Sequence, residues 1–231
     1  MNDTYSFFRY TLPGVLFLIE LSILVIILDW DGVVNFIYSE NNKLNGLNLT
    51  LVVLFLTSIS FGIGAILSLF YRIFSCLKID YSSFLKKVKE NEFIDFDKLT
   101  PTIPAYRDID LKKYGWVIVT SFWFERVGSS ELIKGAVDRA QSLSNLLHNS
   151  AACLAGSFIL PFILIFYIYR KGGLALFSCC GVILSFVVTV AVIYAHHKSY
   201  LDAKFTLKAF VEIILWNALK NEKAGKISKR K

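Results

Sequence analysis

Four stretches of the chain, residues 12–29, 49–71, 151–169 and 174–195, are almost purely apolar. At about 1.5 Å of helical rise per residue, each is long enough to cross a hydrocarbon core of about 30 Å. A backbone inside hydrocarbon has to satisfy its own N–H and C=O groups, so each stretch is predicted to be a helix. The expected fold class is therefore all-α: a polytopic membrane protein with four transmembrane helices and a cytosolic helical module extending from spans three and four. Its parts are a two-span hairpin over 1–71, a cytosolic helical region over 72–149, a second two-span hairpin over 150–195, and a cytosolic helix with a basic tail over 196–231.

Composition supports this division. Hydrophobic residues make up 55% of the chain, charged residues only 19%, and the mean hydropathy is +0.55, which weighs against a soluble enzyme and against a disordered chain. The net charge of +7 comes without any nucleic-acid recognition motif, so no nucleic acid is expected as a partner. Cys76, Cys153, Cys179 and Cys180 lie in or beside spans with no CxxC pair, and read as small packing residues. No basic segment and small-residue cleavage site frames the first apolar run, which reads as a retained span rather than a signal peptide.

Lys and Arg placement predicts orientation. Arg72, Lys78, Lys86, Lys87 and Lys89 follow span two, and Lys220, Lys223, Lys226, Lys229, Arg230 and Lys231 lie in the tail. The loop at 30–48 carries only Lys43 against Asp31 and Glu40. Both termini and the large loop are thus expected in the cytoplasm, in a multi-pass cell-membrane protein, with Arg170 and Lys171 as a discordant pair. Trp30, Tyr167 and Tyr169 fit an outer aromatic belt, and Tyr71, Tyr194 and Tyr200 an inner one.

Two spans are predicted to continue as long helices. After an N-cap signal at Ser130 and Glu131, Ile133, Ala136, Ala140, Leu143 and Leu147 recur at three- and four-residue spacing. Ile193, His196, Tyr200, Ala203, Leu207, Phe210 and Ile214 repeat the rhythm after span four, and a short turn at Gly172 would let the two seams meet. Each helix would run about 40 residues, or roughly 60 Å. Tyr114–Gly128 is apolar on all sides but too short to span; it reads as a buried or interfacial helix, with a strand left open. The stretch after Asn221 has no apolar stripe and reads as disordered.

Glu20, near the middle of span one, is the sharpest polar feature. A carboxylate there costs a few kcal/mol unless it is protonated, paired or wetted. It can be structural glue bonded to Thr57, Ser58 or Ser60; it can line a pore as a ring in an oligomer; or it can be one step of a proton or cation relay, although no further acid or base stands mid-span. Ser60, Gly64 and Ser68 form a close-packing ridge on span two, with Ser58 and Gly62 on an adjacent row, and Gly181, Ser185 and Thr189 do the same on span four. Packing within the chain and contact between subunits explain such ridges equally well. His148, His196 and His197 are candidate metal ligands by apparent depth, but no acid or thiol stands beside them as a further ligand, and interfacial hydrogen bonding is the expected role. No cofactor is expected.

No GxSxG, HExxH, Walker or dinucleotide motif occurs. The expected function is non-enzymatic: an oligomerising membrane subunit that forms a pore or docks a cytosolic partner. The alternatives are a small ion channel or transporter with Glu20 on its path, and a histidine-based redox or metal protein. In layout, spans plus a cytosolic helical module, the chain is similar to small membrane accessory proteins of prokaryotic defence systems such as CRISPR loci. Expected partners are the lipid bilayer, further copies of the chain, and a cytosolic protein.

Overall fold

With no water to bond their amides, the apolar runs close their hydrogen bonds within themselves, and all four are helical. The computed structural model describes residues 3–35, 38, 49–73, 79–91, 111–126, 134–173 and 179–228. In chain order the main helices are α1 (Asp3–Leu28), α2 (Leu49–Ile73), α3 (Ser82–Glu90), α4 (Leu111–Arg126), α5 (Lys134–Arg170) and α6 (Cys179–Ser228), with a further short helix at 30–35. Among the described residues there is no strand. Four helices contain segments long and apolar enough to cross a membrane: Phe8–Leu28, Val52–Arg72, Gly135–Arg170 and Cys179–Asn221. Bulky apolar side chains on each face outward, among them Ile19, Phe55, Phe162 and Phe186. That surface suits contact with lipid.

Two compact units divide the chain. The first comprises Met1–Leu77 with Asn145–Asp202, the second Lys78–Ser144 with Ala203–Lys231. In the first unit α1 and α2 form a tight antiparallel pair around Gly14 and Gly64. A Cβ on Gly14 would collide with the Ser60 carbonyl oxygen, and one on Gly64 with the Tyr10 carbonyl oxygen. The hydrogen in place of each Cβ instead faces a carbonyl at close range. Ser60 and Ser68 are buried on the same face as Gly64. Gly62, one row over, has nothing within 4 Å of its Cβ position.

The remaining helices of this unit join by the same device. Gly156 of α5 admits Phe17 and Leu67, whose carbons lie 3.0 and 3.2 Å from a built Cβ. Gly181 of α6 admits the Ile27 carbonyl oxygen at 3.0 Å, and Ser185 and Thr189 further along α6 are buried. After Arg170, α5 ends in a Schellman turn: Gly173 N–H donates to the Ile168 carbonyl at 3.0 Å and Gly172 N–H to the Tyr169 carbonyl at 3.2 Å. Both glycines are left-handed, φ 103° and 98°, a region that favours glycine.

The second unit buries one face of each short helix. Tyr81, Phe84, Leu85 and Val88 line α3, while Val119, Phe122 and Trp123 line α4. Gly115 lets the Leu85 methyl come within 3.3 Å of its Cβ position. The strand alternative for residues 114–126 is therefore corrected to a helix, with a buried face at helical spacing and Val117 and Phe124 exposed opposite. On α6, Ala203, Leu207, Val211, Leu215 and Leu219 are buried at strict four-residue spacing. The seam expected through Phe210 and Ile214 thus moves one residue on. The buried positions lie along one i±4 ridge of the helix surface, the row used in the commonest class of helix packing, rather than along a heptad seam. Phe210 still meets Trp123, ring centroids 6.4 Å apart.

Helix α5, at 37 residues, has close to the expected length of about 40, whereas α6 is longer, at 50. Helix α6 continues through the segment expected to be disordered, as far as Ser228. Ala, Glu and Lys there are good helix formers, and extending an existing helix needs no new nucleus. The N-cap signal at Ser130, Ile133, Cys76 and the proline-containing stretch before α4 lie outside the described residues.

Because overpacking typically costs about 1–3 kcal/mol, Gly64→Ala is expected to destabilise the α1–α2 pair by that order, whereas Gly62→Ala should be near neutral or slightly stabilising. Unfolding in mixed micelles measures both; equal effects would contradict the packing.

Candidate functional site

Glu20 finds its partner on α6. Its Oε1 lies 2.5 Å from His196 Nε2, with both side chains largely shielded, at 15% and 18% exposure. Cβ atoms lean toward the N-terminus of their own helix. Since α1 and α6 run in opposite directions, the two side chains lean toward each other, so residues that differ in depth by sequence count can touch. The contact can hold one proton in two ways. A charged imidazole donates to the carboxylate, or a protonated carboxyl donates to a neutral imidazole. Either arrangement removes the isolated intramembrane charge. The buried thiol of Cys153 on α5 lies within electrostatic range of Glu20, giving the pair a third neighbour.

The hydroxyls expected to serve Glu20 are otherwise engaged. Thr57, Ser58 and Ser60 bond the carbonyls of Val53, Leu54 and Leu56 on their own helix, at 2.7, 2.8 and 2.7 Å. Four residues back along a helix is the nearest acceptor a Ser or Thr can reach, and in hydrocarbon it prevails. The expected glue partner on span two is therefore replaced by an imidazole on span four.

The histidines do not form one group. Ser150 Oγ lies 3.3 Å from Ser199 Oγ, which sets the register between α5 and α6. His148 is then level with Leu201, five residues and about 7.5 Å from His196 along the axis. A turn centred on Gly172 would pair His148 with His196, but the Ser150–Ser199 contact places the register five residues away from that pairing. His148 instead bonds the hydroxyl of Tyr71 through Nδ1, and His197 is exposed. Among the described residues no three His, Cys, Asp or Glu side chains are grouped to hold a metal.

A second acid, Asp29, organises the opposite end of this unit. Its Oδ2 accepts from Tyr167 Oη at 2.5 Å and lies 3.1 Å from Lys171 Nζ, while its Oδ1 accepts the Gly32 N–H at 3.1 Å. Asp29 thus follows the end of α1, caps the helix at 30–35 and ties both to the α5 terminus. The Tyr167 hydroxyl foremost, then Lys171 and the Gly32 amide, hold the Asp29 carboxyl below its ordinary value against a partial opposing effect of burial. The Asp29 bond raises Lys171 in turn. Asp29 therefore favours the folded state above a pH of about 3.9, and that contribution is lost as pH falls through its lower folded value. Lys171, discordant by the orientation rule, has a local carboxylate to answer it.

The helices and their outward apolar faces define a multi-pass α-helical membrane protein with four candidate spans, in contact with lipid. No family model, curated protein or solved structure matches the chain.

If Glu20 and His196 are energetically coupled, Glu20→Leu and His196→Leu should each destabilise the protein. The double variant should lose about 1–2 kcal/mol less than the sum. Reversible unfolding in mixed micelles measures the cycle, and strictly additive losses would contradict the pairing.

Proposed function

We propose that this is a non-enzymatic membrane subunit whose spans anchor a helical platform on the cytoplasmic side, where it docks a protein partner. The supporting observation is the length of α6. Fifty residues are more than twice the number a span needs, and α6 contributes Cys179–Asp202 to the first unit and Ala203–Ser228 to the second. The basic residues around α3 and in the chain's last segment favour the cytoplasm for that unit. Self-association belongs to the same reading. Ser58 is exposed and Gly62 open on the outer surface of α2, where small residues allow a second helix to approach.

A second reading rests on Glu20 and His196, an acid and a base in contact beside a thiol within the spans, a pairing suited to passing a proton. It differs from a ring of free carboxylates, because Glu20 already has its partner within the same chain.

One pair of measurements separates these readings. With a membrane-impermeant thiol reagent on intact cells, a cysteine at Asn41 should label and one at Lys87 should not, and liposomes carrying the protein should leak protons no faster than empty ones. External labelling at Lys87 would overturn the platform. Proton flux that falls at least tenfold in Glu20→Gln would favour the relay.

A further inference from the structure

Arg9 and Arg72 stand at the same end of the α1–α2 pair, at the limits of the candidate spans Phe8–Leu28 and Val52–Arg72. Arg72 lies within electrostatic range of the Tyr71 and Tyr10 hydroxyls, and the Tyr71 hydroxyl bonds His148 Nδ1. With the Tyr71 hydroxyl donating to Nδ1 of a neutral imidazole, His148 Nε2 carries the ring proton and is a donor. The Arg9 guanidinium lies 5.9 Å from the centroid of the Tyr10 ring. Its Nε–H is shut off from solvent and bonds nothing. His148 lies within electrostatic range of both guanidiniums.

Among the side chains described, the cluster is a set of donors without an acceptor of matching charge: Asp29, Glu20 and Glu212 have cationic or imidazole neighbours elsewhere, and none of these carboxylates forms an ion pair with Arg9 or Arg72. Two guanidiniums at one end of a helix pair repel, and a shielded N–H without a partner is costly. An oxyanion answers both deficits. A planar guanidinium fork suits phosphate bidentately, and the ends of membrane spans lie at the level of lipid headgroups.

We propose that Arg9 and Arg72, held by Tyr10, Tyr71 and His148, form a binding site for a phosphate group. Its source is an anionic lipid headgroup or a soluble phosphate. The lipid phosphate has the positional advantage, since it already resides at that depth.

Native mass spectrometry of the full chain in detergent tests this, with dioleoyl phosphatidylglycerol, dioleoylglycerol and inorganic phosphate as probes. Phosphatidylglycerol should bind at least tenfold more tightly than dioleoylglycerol, which has the same chains without the phosphate. The double variant R9Q/R72Q should lose that preference, while K86Q, an exposed charge elsewhere, should keep it. Inorganic phosphate that displaces phosphatidylglycerol from the wild type would identify a soluble phosphate as a ligand; failure to displace it at millimolar concentration would identify the lipid. Equal binding of the two lipids by the wild type would overturn the site without recourse to any variant. So would phosphatidylglycerol binding by a folded R9Q/R72Q protein equal to that of the wild type. If R9Q/R72Q does not fold, R9K/R72K serves: it keeps both charges, loses the fork geometry and should bind phosphatidylglycerol at least threefold more weakly, whereas unchanged binding would contradict the site.

Discussion

A carboxyl group among hydrocarbon has to be answered from within the protein, and in this chain the answer is an imidazole 2.5 Å away on a helix nearly two hundred residues later in sequence. That contact ties α1 to α6. It fixes which faces of the two helices meet, because rotating either by one residue, about 100°, would carry the side chain into lipid and strand its partner. The glycine contacts complement it: Gly14 and Gly64 draw α2 onto α1, Gly156 seats α5 against Phe17 and Leu67, and Gly181 brings α6 onto the end of α1. Since lipid chains are as apolar as leucine, these close approaches and a few polar contacts supply the cohesion that a water-driven core supplies elsewhere.

Polar residues are confined to defined levels. Asp29, Tyr167 and Lys171 hold one end of the first unit, while Arg9, Tyr10, Tyr71, Arg72 and His148 gather at the other. Between them lies the Glu20 and His196 contact, with Cys153 within electrostatic range of Glu20. Both end clusters suit the transition from hydrocarbon to headgroup, where tyrosine and basic side chains keep a polar tip in a wet layer and an apolar stem below it. The acid–imidazole contact has no such outlet, which makes its proton the part of the structure with the most to do in either functional reading.

Much of this architecture was legible in the sequence. Helical segments follow from apolar length alone, and the small-residue positions Ser60, Gly64, Ser68, Gly181 and Ser185 follow from four-residue spacing, which is a local property. The partner of Glu20 was not legible. Depth counted along a single helix ignores the lean of side chains on antiparallel neighbours, so His196 was expected at the edge rather than against Glu20. The relative level of His148 and His196 was not legible either: counting outward from Gly172 puts them together, whereas the Ser150–Ser199 contact sets the register five residues off. The shift from Phe210 to Val211 reflects packing along an i±4 ridge, which a heptad reading of the apolar residues does not distinguish from a seam. The role of Lys171 could have been inferred from Asp29, had the end of α1 been placed beside the end of α5.

The pairing is open to direct observation. Solid-state NMR on protein in lipid bilayers, labelled with carboxyl ¹³C in glutamate and ring ¹⁵N in histidine, reports dipolar coupling between Glu20 and His196, assigned by its loss in His196→Asn. A 2.5 Å contact between Oε1 and Nε2 requires strong dephasing of the Glu20 carboxyl carbon by that nitrogen. Absence of any coupling, with the four helices intact, would contradict the account at its centre.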